Sequence, residues 1–275
     1  MTDQHTRHAG AGSDVSADSL FGGEIICQQP RQGYRFSVDS ILLAHFSPIQ
    51  NGDNVLDLGC GCGIVGLIIM YRWQTVLQGV VGLEIQPELA ELARNNGRLN
   101  GFAEKFRVVE GDLRTMKASF PAESFTRVVC NPPFYTSGSG RESTDRQSLI
   151  ARHQVCASTD QTMAAASLAV KNRGSVSVVF PADRLVELVG SMLTAGLQPK
   201  RMQMVYSYPG EKGSARLVLI EAIKNGGPGV AILPPFSIYQ EKNGPYTGEM
   251  QRMYEPLREQ QRKGAGRKDH VVTTM

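Results

Sequence analysis

The run VLDLGCGCGIVGL, Val55 to Leu67, joins two hydrophobic patterns through a cluster of glycines. DNVLDLGC reads as a strand ending at Asp57 and Leu58, and GIVGLIIMYRW as a helix. Between them stand Gly59, Gly61 and Gly63, with Gly66 one turn later. Glycines at these positions let the backbone turn sharply and approach a ligand with no side chain in the way. A strand feeding a helix through such a turn opens a nucleotide-binding α/β sheet. Gly61 to Gly66 even satisfies G-x-G-x-x-G, with Glu84 at a plausible ribose-binding distance, which taken alone suits a dinucleotide.

Outward from this unit, strand-like and helix-like segments alternate. GVVGLEI reads as a strand, QPELAELARNNGRLNGF as a helix ending near Gly101, and FRVVEGD as a strand. FTRVVCNPP is a fourth strand, STDQTMAAASLAV a helix and GSVSVVFP a fifth strand, a rhythm that specifies a doubly wound, mostly parallel α/β sheet. RLVELVGSMLTAGLQ reads as a helix, followed by strands KRMQMVYSYPG and SARLVLIEAIK across a glycine-containing turn. Upstream, Ser37 is placed to cap a helix VDSILLAHF, with Asp39 in its first turn. The polar residues 1–20 read as a disordered tail, 21–250 as the folded domain and 251–275 as a basic tail.

A chain of 275 residues with 41% hydrophobic residues can bury a sizeable core, and its apolar runs are too short or interrupted to cross a bilayer. The polar N-terminus lacks the apolar core of a secretory signal. Five cysteines without framework spacing fit reduced thiols in a cytoplasm. Cys60 and Cys62 have no second pair or nearby histidine, and the five histidines show no ligand spacing, so no metal is expected. A net charge of +3 does not advertise nucleic acid, although the positives bunch in two places.

Asp57, just before the glycines, turns the choice of ligand. A carboxylate at a strand's C-terminal end faces the crevice, where it suits an ammonium and ill suits a pyrophosphate. S-adenosylmethionine carries an ammonium, a sulfonium, a ribose and an adenine, and no phosphate. Glu84 can accept from both ribose hydroxyls, and Asp112, after the third strand, from the adenine amine. Carboxylates there also serve as helix caps, but three of them closing three successive strands favour the cofactor.

The fourth strand runs into RVVCNPPFYTSGSGR, Arg127 to Arg141. Two prolines stiffen the backbone and remove two amide donors, leaving carbonyls as acceptors. The side-chain oxygen of Asn131 and the Pro132 carbonyl can then hold both hydrogens of one planar exocyclic amine, while Phe134 offers a face on which a base stacks. Such a holder needs no strong base, because a sulfonium is already an excellent leaving group and alignment supplies most of the rate. Cys130 has no task in this chemistry and reads as a small apolar strand end. Trp73 reads as packing.

DLGCGCG, LEIQPELAELARNN, GDL and NPPF together resemble the class I S-adenosylmethionine-dependent methyltransferases that modify exocyclic amines. QPRQGYRFSVDSILLAHF, Gln29 to Phe46, and the later PGEKGSARLVLIEAIKNGGPGVAILPPFSIY narrow the resemblance to the bacterial tRNA (adenine-N6)-methyltransferases acting on adenine 37 of a valine tRNA, over roughly residues 22 to 248. The resemblance implies a seven-stranded sheet whose last strand is antiparallel, and a flipped adenine as substrate. It implies cofactor contacts from Asp57, Gly59, Cys60, Gly61, Glu84, Ile85, Asp112 and Leu113, with Asn131 at their edge. Tyr34 and Phe36 would form a lid over the cofactor, and Asn131, Pro132, Pro133 and Phe134 would hold the target. The NPPF form also occurs in guanine-N2 enzymes of ribosomal RNA, and a glutamine amide of a release factor presents the same two-hydrogen nitrogen. A non-catalytic binder of S-adenosylmethionine or RNA is the alternative of a different class.

For the RNA, the loop after NPPF carries Arg141, Arg146 and Arg152 on the target side, and the tail carries Arg258, Arg262, Lys263, Arg267 and Lys268. Both clusters can meet phosphates, and for the tail ordinary solvated charge is an equal alternative. The sequence leaves the oligomeric state open.

Overall fold

The computed structural model describes residues 15–32, 35–132, 157–210 and 213–257. The chain opens with a hairpin, β1 (Val15–Leu20) paired antiparallel with β2 (Ile25–Pro30). The expected tail over residues 1–20 is thereby corrected from residue 15 on. Leu20, Phe21, Ile25 and Cys27 are buried, and this short apolar side is what holds the hairpin down.

After the hairpin come helix α1 (Val38–Phe46), strand β3 (Asn54–Leu58), helix α2 (Ile64–Trp73), strand β4 (Gly79–Glu84), helix α3 (Pro87–Leu99) and strands β5 (Phe106–Glu110) and β6 (Phe125–Cys130). Helix α4 (Thr159–Ala169), strand β7 (Val170–Pro181), helix α5 (Leu185–Thr194), strands β8 (Leu197–Tyr206) and β9 (Leu217–Lys224), the two-residue strands β10 (Ala231–Ile232) and β11 (Phe236–Ser237), and helix α6 (Gly248–Tyr254) complete the described chain.

The large sheet has the order β10-β8-β9-β7-β6-β3-β4-β5, with β11 also on β8. Strands β3 to β9 are the seven expected, β9 is antiparallel to both neighbours, and β10 and β11 extend the sheet to nine. The chain runs outward from β3 through β4 to β5 and then returns to place β6 on the other side of β3. That reversal makes the gap between the carboxyl ends of β3 and β6 the topological switch point, where α/β sheets hold their ligands.

Alternation along the strands builds two apolar layers. Val55, Val80, Val129, Val179, Leu217 and Leu219 point into the layer shared with α1, α2 and the hairpin. Leu56, Val81, Val128, Val178, Val218 and Ile220 point to the opposite face, where α4 and α5 pack.

Two asparagines one helical turn apart stitch the hairpin to the sheet. Asn96 on α3 and Asn100 at its C-terminal cap pair with the backbone of Gln28 and Ile26 at 2.7–2.9 Å, so the helix and its cap complete the outer edge of β2. Asn96 also donates to the Cys62 carbonyl at 2.9 Å, tying the hairpin to the glycine loop. At the other end of α2, Phe21 stacks on Tyr71 with centroids 4.5 Å apart, and the Tyr71 hydroxyl donates to Glu24 at 2.6 Å and accepts from the Leu257 amide at 3.0 Å. Met250 of α6 is buried and Met253, Tyr254 and Leu257 pack against the same layer, so the folded part continues past the expected boundary at residue 250. Trp73 packs against this layer too, with the Arg72 guanidinium 4.6 Å from its ring centroid.

Helix α1 starts after Ser37, as expected, but the Ser37 side chain makes no cap bond to the helix amides. Burial raises the Asp39 carboxyl in the first turn, and the nearby Ser37 side chain opposes that rise.

Candidate active site

The glycines after β3 divide into two jobs. Gly59 (φ 75°), Gly61 (φ 56°) and Gly63 (φ 87°) occupy the left-handed region that a Cβ penalises. A Cβ on Gly59 would meet nothing, so this residue lines open space at the crevice. Gly66 has a different reason. A Cβ there would lie 2.6 Å from the Phe106 ring, and Cβ atoms on Gly97 and Gly63 would lie 2.7 and 3.0 Å from it. Gly63 and Gly66 of the dinucleotide-like spacing thus form, with Gly97, a packing cradle for Phe106, which brings α2, α3 and β5 together.

Sheet register sets a row of residues at the crevice. Leu58 pairs with Leu83 on one side and Cys130 on the other, so Gly59, Glu84 and Asn131 follow as neighbours at the carboxyl ends. Glu84 is almost fully buried. One of its oxygens accepts from the Gly61 amide and the other from the Gln86 amide, both at 2.9 Å. A carboxylate oxygen accepts two hydrogen bonds, so Glu84 is locked in place and still has an acceptor site on each oxygen for a pair of hydroxyls. Ile85, half-buried, follows at the rim. Cys60 is buried within the loop, and Gly82 on β4 leaves room for its sulfur.

Asp57 is buried beneath the loop and accepts from the Gly66 amide at 3.0 Å, anchoring the first turn of α2. Burial pushes its carboxyl up to about 7; the Gly66 amide opposes the rise and the Glu84 charge adds to it. The expected ammonium partner must reach a carboxylate that already holds the helix.

Asp112 departs from expectation. It caps the 3-10 turn Leu113–Ala118, accepting from the Arg114 amide at 2.8 Å, and the Arg114 guanidinium binds its other oxygen at 2.5 and 2.7 Å. That pair holds the Asp112 carboxyl below the usual carboxylate range. Most of its acceptor capacity is thus spent within the chain, which leaves little for an adenine amine. Leu113, half-buried, opens the same turn.

Across the switch point, Asn131 and Pro132 leave β6 half-buried at the crevice. The Asn131 amide nitrogen donates to the hydroxyl of Ser40 on α1 at 3.2 Å. Ser40 is a site residue that the sequence did not reveal, because it lies 91 positions from its partner. Cys130 is buried and its thiol is pushed far up by burial, as an inert strand end requires. Phe36 is half-buried against the apolar layer, and its amide donates to the Gln29 side chain at 3.0 Å. Tyr34, Pro133, Phe134, Arg141, Arg146, Arg152 and the basic cluster from Arg258 onward lie outside the described residues.

Among the described residues there is no group of histidine, cysteine or acidic side chains that could hold a metal, and no helix long and apolar enough to cross a membrane. The described cysteines, Cys27, Cys60, Cys62 and Cys130, are all free and buried.

The chain is 26% identical over 190 residues to a tRNA1(Val) (adenine(37)-N6)-methyltransferase of Bacteroides fragilis, covering 69% of this chain and 78% of the relative. It is 28% identical over 181 residues to the protein of the same name from Porphyromonas gingivalis, covering 64% and 69%. Among solved structures, a "predicted O-methyltransferase" from Agrobacterium tumefaciens superposes with a TM-score of 0.63 at 20% identity, over 80% of this chain and 98% of that one, which shows a shared fold. Residues 37–178, just over half of the chain, match the methyltransferase small domain, and they contain α1, the glycine loop, Glu84 and Asn131. The chain belongs to the methyltransferase small domain family.

Proposed function

We propose that this methyltransferase transfers a methyl group from S-adenosylmethionine to the N6 nitrogen of an adenine in tRNA, adenine 37 of a valine tRNA being the expected position. The observation that carries the reading is the row at the switch point. Gly59 and the locked Glu84 face one half of the crevice, and the half-buried Asn131 and Pro132 face the other. The first half suits a ribose and the second an exocyclic amine. The tRNA-methylating relatives support the choice of base.

In this reading Gly59, Cys60 and Gly61 wrap the cofactor, Glu84 takes its ribose hydroxyls, Asp57 supports its ammonium end, and Ile85 and Leu113 flank its adenine. Asn131 and the Pro132 carbonyl take the two amine hydrogens of the flipped base, with Pro133 and Phe134 completing the pocket and Tyr34 and Phe36 covering the cofactor. Gripping both hydrogens turns the nitrogen lone pair toward the methyl group. The nitrogen forms its bond to carbon as the carbon–sulfur bond breaks, and the proton then leaves to water. The site of action is the cytoplasm, where tRNA is modified.

A pH dependence follows from Asp57. Its raised carboxyl is partly protonated at neutral pH in the free protein, and the cationic ammonium favours its ionised form. S-adenosylmethionine affinity is therefore expected to rise between about pH 6 and pH 8, with proton release on binding. Calorimetry in buffers of different ionisation enthalpy measures this, and a flat profile would show that Asp57 does not sense the cofactor's charge.

The RNA must lie over the end of the sheet beyond Asn131. There Leu217 pairs with Pro181, which puts the exposed Arg216 at the crevice edge, close enough for its charge to act on Asp39. Arg216 is expected to neutralise one phosphate, together with Arg141, Arg146 and Arg152. Arg216→Ala should weaken tRNA binding and lower the slope of log affinity against log salt by about one unit. An unchanged slope would remove Arg216 from the interface. The function itself is tested by incubating the protein and labelled S-adenosylmethionine with separate pools of tRNA, ribosomal RNA and protein. Labelled N6-methyladenosine in tRNA alone is the expected result, whereas methylguanosine or methylglutamine would overturn the substrate.

A further inference from the structure

We propose that Ser40 is a positioning residue that sets the Asn131 side chain for methyl transfer, an inference that rests on reading Asn131 as the acceptor of the target amine. A primary amide carries one acceptor oxygen and two donor hydrogens on opposite arms. To receive an amine that itself donates, Asn131 must turn its oxygen to the crevice and its nitrogen away. Turned the other way, two donors face each other and the amine is repelled.

The arrangement at α1 favours the productive orientation. The Asn131 nitrogen is directed at the Ser40 hydroxyl, 3.2 Å away, which leaves the oxygen as the arm for the amine. Ser40 sits in the first turn of a helix whose Ile41, Leu42, Leu43 and Ala44 are fully buried, and is itself only 1% exposed. Its amide is bonded to the Ser37 carbonyl at 3.1 Å. The hydroxyl therefore stands on a rigid element, whereas Asn131 lies just past the end of its strand, where ladder bonds no longer restrain it. When the amine arrives and claims the oxygen, Ser40 accepts from the nitrogen and the pair locks. A hydroxyl at position 40 thus lowers the cost of orienting Asn131 at the moment of reaction. No proton passes through Ser40, and no bond to it forms or breaks.

The test compares the wild-type protein with S40A and S40T in single-turnover methyl transfer from labelled S-adenosylmethionine. The side-chain amide signals of Asn131, identified by their absence in N131A, are recorded by NMR in the same proteins. S40A is expected to lower the transfer rate by about ten- to a hundredfold, to leave S-adenosylmethionine affinity and the apparent affinity for RNA unchanged, and to speed exchange of the Asn131 amide hydrogens. S40T, which keeps the hydroxyl, should restore most of the rate and the slow exchange. A wild-type rate in S40A, a loss shared equally by cofactor affinity, or failure of S40T to rescue either readout would overturn the proposal. If the wild-type protein methylates guanine or a glutamine amide instead, the adenine reading fails, and Ser40 is judged by the same rate ratios on that amine.

Discussion

Asn131→Ala is expected to lower the rate of methyl transfer by about 100- to 1000-fold while leaving S-adenosylmethionine affinity largely intact. The separation follows from the sheet. The cofactor half of the crevice is built on β3 and β4, whose Asp57 and Glu84 are fixed by amides of the glycine loop, of the Gln86 turn after β4 and of α2. Asn131 directly follows β6 and is held by Ser40 on α1. Removing its side chain takes away the amine's acceptor and leaves the cofactor's supports untouched. Single-turnover kinetics and titration calorimetry on the same variant make the comparison. Equal losses in rate and in cofactor affinity would mean that Asn131 supports the cofactor and that the two halves are not separate.

The largest expected effect on stability is that of Phe106→Ala. The ring fills the cradle formed by Gly63, Gly66 and Gly97, and is itself almost fully buried. Its removal leaves a cavity between α2, α3 and β5 that backbone at three glycines cannot collapse to fill. The variant should lose about 3–5 kcal/mol, with a fall in Tm on the order of 10 °C. S-adenosylmethionine affinity should drop as well, because Gly63 begins α2 and sets the loop above Asp57. Thermal unfolding followed by circular dichroism, with and without cofactor, measures both. A loss below about 0.5 kcal/mol, the level of an ordinary surface change, would show that the cradle closes around the missing ring and that the glycine spacing serves the ligand after all.

The parts that were legible in the sequence owe their legibility to local chemistry. A strand of Val55 to Leu58, a run of glycines and an apolar helix are contiguous, so turn geometry and hydrophobic period speak together. The carboxylates at the ends of β3, β4 and just after β5, and the stiff Asn131-Pro132 pair after β6, were recognisable for the same reason: each is a polar group where an apolar strand stops. Gly66 shows the limit of such reading. Its spacing matches a ligand-binding pattern, yet its neighbour is the Phe106 ring, 40 positions away in sequence and adjacent only in the fold.

What escaped the sequence depends on distant partners. The hairpin of β1 and β2 is short and half polar, and its outer edge is completed by Asn96 and Asn100, so no local period announces it. Helix α6 precedes a basic segment and is fixed by Met250, Met253 and Tyr254 on the layer under α1 and α2. Asp112 was read as an adenine acceptor from its place after the third strand; in the fold the Arg114 guanidinium, two positions on, occupies one of its oxygens. Ser40 stands out only where the fold brings Asn131 to it.

The claim at the centre of this account is that one exocyclic adenine amine is held between Asn131 and the Pro132 carbonyl and methylated there. Its most direct test is methyl transfer to a valine tRNA transcript beside the same transcript with guanine in place of adenine 37. The account predicts that one methyl group per molecule enters the first as N6-methyladenosine and that none enters the second. Equal labelling of both transcripts would contradict the assigned position, and labelling of neither by a protein that binds S-adenosylmethionine would contradict the assigned substrate.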